Sequence, residues 1–151
     1  MEPLLLSLHV VAGILFVGPV AVTTSLFPRY APVTVTPSAG ERVERSLDMA
    51  RLLHRITRAY GVLAITVPVI GLTLAFVQGR TTDAWVVIAM VLTAIAGGLL
   101  VLQITPRQRE ALAAPDGGAQ LRSLGMVARV FNLLWAVVVV LMIVRPGSSN
   151  A

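Results

Sequence analysis

The sequence predicts an all-α fold: a polytopic membrane protein built as an antiparallel four-transmembrane-helix bundle, with an amphipathic cytoplasmic extension before the second helix. Three observations predict it. Four apolar stretches each approach the roughly 20 residues a helix needs to cross a bilayer. Hydrophobic residues make up 56% of the chain and charged ones only 13%, against roughly 25% charged in an ordinary soluble domain. The arginines, finally, gather in or beside two of the segments between the stretches. Residues 1–151 are therefore read as a single membrane domain with spans at about 4–27, 59–77, 84–104 and 124–144.

The first span would be about 34 Å long as a helix, enough to cross with some tilt. Only Met1, Glu2 and Pro3 precede it, so it lacks the basic start of a signal peptide and is expected to be retained. Residues 28–40 carry Pro28, Pro32, Pro37 and Gly40 and read as a loop, with helix resuming near Ser38 to Glu41. From Glu41 to Arg58, charges alternate with Val43, Leu47, Leu52, Leu53 and Ile56, an amphipathic segment that either lies on the bilayer or extends the second span. Gln78, Gly79 and Arg80 end that span, and the short link to Asp83 makes the third span its antiparallel neighbour. Pro106 is where the third helix can be interrupted, and Pro115 to Gly118 read as a turn. Val130 to Val144 alone would reach only about 22 Å, so the fourth span is drawn back to Leu124, which embeds Arg129.

Charge gives the orientation. Arg29, Arg42, Arg45, Arg51, Arg55 and Arg58 lie between spans one and two; Arg107, Arg109, Arg122 and Arg129 lie between or beside spans three and four; only Arg80 and Arg145 fall at the opposite end. The bias places both basic loops in the cytoplasm and both termini outside a bacterial cytoplasmic membrane. The net charge of +5 then suits anionic headgroups, and no nucleic-acid partner is expected. Arginine without lysine, alongside much Ala, Val and Gly, fits a GC-rich bacterial genome. With no cysteine, disulfides and thiolate chemistry are excluded.

Two groups of side chains are candidate sites. His9 lies inside the first span on a face of small residues, Gly13, Ala21 and Ser25 among them, so it is expected to face the bundle. Three readings are open: an imidazole bonded to a neighbouring Thr or carbonyl, a haem or metal ligand, or a proton carrier. Depth counting sets Met90 level with His9, which makes the two a candidate cofactor-binding pair, whereas His54 falls at the other end and cannot share an iron with His9. The second group is an inner-leaflet polar cluster of Tyr60, Arg129 and Asn132 with Thr23, Thr24 and Thr57, read either as interhelical hydrogen bonding or as a pocket for a headgroup, quinone or anion. Glu44 and Asp48 reach Arg129 only if their helix folds back. Thr57 with Gly61, Gly71 with Ala75, Thr93 with Gly97 and Ala94 with Gly98 have the spacing of close helix contacts. Pro19 and Pro68 are expected to bend their spans.

The chain shows no phosphate-binding glycine loop, nucleophile elbow or paired intramembrane acids, so catalysis by its own side chains is not expected, nor is a metal site. The segment LHVVAGILFVGPV, with RLLHRITRAYGVLAI and TPRQREAL, resembles bacterial four-helix integral membrane proteins of unknown function. More distantly it is similar to the copper-resistance D family and to haem-dependent four-helix protoporphyrinogen oxidases. The latter resemblance implies haem b ligated by His9. The chain departs from that oxidase pattern in having no lysine, and FPRY at residues 27 to 30 is a partial match. The expected function is a non-enzymatic accessory or assembly subunit, associating with itself or a membrane protein partner and needing no cofactor. A haem b protein of redox chemistry or haem metabolism is the alternative, and a small metal or lipid transporter the third.

Overall fold

The computed structural model describes residues 2–34 and 45–147. They form four helices long and apolar enough to cross a membrane: α1, Glu2–Tyr30; α2, Leu47–Val77; α3, Ala84–Ala113; and α4, Ala119–Val144. No strand occurs among the described residues. Most of each apolar window faces outward, with Leu4, Ile14, Val62, Phe76, Leu102 and Ile143 among the most exposed side chains. Exposed apolar surfaces of that extent mark contacts with protein partners or with lipid.

The amphipathic segment is an extension of α2. Its helix starts at Leu47, where the Ser46 hydroxyl accepts from the Met49 amide, an N-cap that satisfies one of the four orphan donors of the first turn. The expected restart near Ser38 to Glu41, and Glu44, lie outside the described residues. Asp48 pairs with Arg51 at 3.4 Å on the surface rather than with Arg129. α1 runs past Pro28 to Tyr30, three residues into the expected loop. Its last carbonyls explain the extension, since the Arg45 guanidinium donates to the Pro28 and Ala31 oxygens at 3.3 and 2.8 Å and so closes the negative end of the helix.

Three prolines loosen three helices, each in the turn before it. A proline has no N–H for the carbonyl four residues back, and its ring crowds that carbonyl. Pro19 acts on Leu15, inside a widened π turn at Gly13–Val17. Pro106 acts on Leu102, inside a second at Leu100–Ile104, where the Thr105 amide steps back five residues to the Leu100 oxygen. Pro68 acts on Ala64, whose oxygen accepts from the Val67 amide instead at 3.1 Å, and α2 breaks between Leu63 and Thr66. Pro106 thus widens α3 without ending it, and the helix continues to Ala113.

α1 lies against both α2 and α4, and α3 lies against α4. α2 and α3 meet at the basic end, through Leu47–Leu63 and Thr105–Ala113, while Thr66–Val77 and Ala84–Leu99 scarcely touch. The main core fills the basic half, with Val20, Phe27, Leu53, Ile104, Leu124 and Phe131 at its centre. A smaller cluster of Ala75, Trp85 and Val86, flanked by Met90 and Met142, closes the far end. Between the two cores, α2 and α3 stand apart.

Candidate functional site: a cleft between α2 and α3

The gap between α2 and α3 is a partly open cleft of about 290 Å³. Gly61, Ala64, Ile65 and Pro68 form its α2 wall; Met90, Thr93, Ala94, Gly97, Leu100 and Val101 form its α3 wall; Val17 and Val20 of α1 with Phe131 and Trp135 of α4 make the floor. All three proline-loosened turns contribute to this lining: Val17 ends the first, Ala64 and Ile65 are the break in α2, and Leu100 with Val101 open the third. Irregular helix in an apolar medium is tolerated where it is buried in protein or borders a cavity, and π turns often mark functional positions. Because the cleft is partly open, its contents exchange with whatever surrounds the bundle and it is no sealed void. Matter from the surroundings has to fill it, and the lining, apart from the Thr93 hydroxyl and the Trp135 indole, accepts only apolar matter.

The glycines divide along this cleft. A Cβ on Gly61 would stand 3.1 Å from the Leu100 side chain, and one on Gly71 would stand 2.7 Å from His9 Cε1; both are close contacts, as their spacing predicts. At Gly97 and Gly98 a Cβ would meet nothing within 4 Å. Their spacing with Thr93 and Ala94 therefore does not mark a close helix contact.

The buried polar groups join helices outside the cleft. His9, 8% exposed, donates from Nδ1 to the Val67 carbonyl at 3.1 Å, the carbonyl partner that was one of its three readings. That bond leaves Nε2 as the acceptor nitrogen. Met90 borders the cleft and the Trp85 cluster, while His9 is not among the cleft-lining residues. Thr23 and Thr57 share a hydrogen bond of 2.8 Å, and each hydroxyl also reaches a carbonyl of its own helix, Val20 and Leu53 respectively. Thr24 turns back onto the Val20 carbonyl of its own helix. Asn132 donates to the Ser25 hydroxyl at 2.8 Å, Tyr60 packs on the main core, and Arg129 is exposed. No hydrogen bond or ion pair joins Tyr60, Arg129 and Asn132 to one another among the described residues. Such interhelical bonds contribute about 0.6 kcal/mol each on average; they select the pairing of helices more than they hold it.

At the basic end the α2–α3 seam is closed by a pair the sequence did not single out. His54 donates from Nδ1 to Gln108 Oε1 at 3.0 Å. Gln108 is fully buried and its Nε2 has no partner. The signal for it lay in its register, four residues after Ile104 and three before Ala111, both buried. Trp135 and Ser25 were also missed: an indole in an apolar helix reads as packing, and a serine reads as a small residue.

No family model, curated protein or solved structure matches this chain. The cleft is its candidate site on geometry alone.

Proposed function

We propose that this chain is a non-enzymatic accessory protein of the bacterial cytoplasmic membrane, its basic segments on the cytoplasmic side, and that its bundle holds an apolar guest drawn sideways from the bilayer into the α2–α3 cleft. The observation that carries the reading is the convergence of three loosened helices on one apolar, partly open cleft. The way the buried His9 and the buried Thr23–Thr57 pair bridge helices away from that cleft also supports it. A phosphatidylcholine carrying a photoreactive group in mid-chain tests it. Cross-links should concentrate on Ile65 and Thr93, fall severalfold in Gly97→Leu, and persist in Gly98→Leu, whose new side chain points into equally open space but does not line the cleft. Labelling spread evenly over the outward faces, or the same in both variants, would overturn the reading.

One observation favours haem b as a second reading. A ligating histidine commonly donates its other ring nitrogen to a backbone carbonyl, which fixes the tautomer, and His9 does this toward Val67. The donor chemistry fits, but the ring is seated against Gly71 and outside the cleft, so a macrocycle would require α1 and α2 to separate. Protein purified after expression with ample haem should then show a Soret band that His9→Ala abolishes; colourless protein would end this reading.

A further inference from the structure

The α2 wall of the cleft continues beyond it toward the basic end. Arg58, Gly61, Ile65 and Pro68 follow one another at steps of three, four and three, which sets them on one face of the helix. Arg58 is exposed, has no hydrogen-bond or ion-pair partner among the described residues, and stands about 4.5 Å along the axis from the start of the cleft at Gly61. On α3 the lining runs from Met90 to Val101, about 16 Å. One molecule therefore meets a narrow apolar slot and then, just past its end, a cation.

We propose that the occupant is an acidic phospholipid, with one acyl chain lodged between α2 and α3 and its phosphate held at Arg58. The inference rests on the cleft being filled from the bilayer and adds the class of lipid. The shape argues for an acyl chain, since the slot is apolar, partly open and about 16 Å long on α3, as an extended chain entering from the bilayer requires. The open flank lets the second acyl chain stay in the bilayer, so a two-chain lipid fits as well as a single-chain one. Charge chooses among headgroups: Arg58 attracts an anionic phosphate uncompensated by choline, and Arg55, exposed one turn before it, adds to that field. Beyond Arg58, the His54–Gln108 hydrogen bond pins the two helices together and ends the slot.

Tryptophan quenching by lipids brominated in the acyl chain reads this directly, because Trp135 forms part of the cleft floor and Trp85→Phe leaves it as the only indole. In nanodiscs, brominated phosphatidylglycerol should quench Trp135 with about fivefold higher apparent affinity than brominated phosphatidylcholine, the effect of one arginine near an anionic headgroup. Arg58→Gln should erase the preference and Arg58→Lys should keep most of it. Gly97→Leu should weaken quenching by both lipids, and Gly98→Leu by neither. Equal quenching by the two lipids in the parent protein would overturn the headgroup assignment while leaving the apolar cleft intact. Quenching indifferent to Gly97→Leu would overturn the cleft itself, and tighter quenching by a brominated free fatty acid than by phosphatidylglycerol would overturn the choice of phospholipid.

Discussion

His9 and Gly71 interlock. The imidazole occupies space that a methyl group on Gly71 would need, and its Nδ1 is held by the carbonyl of Val67, one turn earlier on the same helix. Gly71→Ala should therefore destabilise the bundle by the 1–3 kcal/mol typical of overpacking, about that range, and the cost should largely vanish on a His9→Ala background. Thermal unfolding in detergent of the four members of that cycle checks the coupling; a full cost for Gly71→Ala without His9 would show that the alanine clashes elsewhere. The sequence disclosed that His9 faces the bundle, since its helical neighbours are small. It did not disclose which helix answers, because periodicity marks a buried face and leaves the opposing surface unspecified. The same limit explains Asn132, which shares a face with Arg129 but reaches Ser25 of α1.

Among the elements, α4 depends on a single acidic side chain for its start. Gly118, at φ 95°, turns the chain into the helix, a conformation that costs glycine little and other residues more. Asp116 then accepts from the Gln120 and Gly118 amides at 2.9 and 2.7 Å, while its own carbonyl accepts from the Thr34 amide at 3.0 Å and ties the loop after α1 to the start of α4. The bonds from Gln120 and then Gly118 hold the Asp116 carboxyl below its ordinary range. A carboxylate favoured in the folded state stabilises it above the unfolded pKa, and that contribution is lost as pH falls through the folded value. Amide exchange at Gly118 and Gln120, corrected for intrinsic rates, should rise in the parent on acidification below about pH 4. Asp116→Asn should exchange faster at neutral pH and lack that acid-driven rise. A parent whose protection does not change on acidification would show that the carboxylate is not what caps α4. The sequence marked this stretch as a turn but not as the helix start, since Asp116 stands three residues ahead of Ala119, outside the usual capping position. Helix boundaries at prolines were similarly hard to read. Pro106 signals an interruption, but tertiary packing of Gln108 and Ala111 into the main core carries α3 onward.

For the whole molecule, the four apolar windows predicted a bundle of four helices long enough to cross a membrane, and the structure has four such helices. The cleft was not legible, because it arises where helices diverge, and the small residues that would mark a contact also mark a gap. The orientation argued from the arginines has its own test. Single cysteines at Ser46→Cys and Ala119→Cys, both at the basic end, should resist a membrane-impermeant thiol reagent in intact cells and react once the membrane is opened; labelling in intact cells would reverse the topology.

The widened turn at Leu100–Ile104 also sets a phase. Its five residues sweep about the same angle as four residues of ordinary α-helix, so the turn absorbs one extra residue and leaves the far arm of α3 in phase with what precedes it. A deletion beyond the turn, in the regular helix between Thr105 and Gln108, would instead rotate the rest by about 100°, swinging Gln108 off His54 and Ala111 out of the core that it shares with Ile104. A single-residue deletion within the widened turn should therefore keep the His54–Gln108 seam, and the same deletion one turn later should lose it.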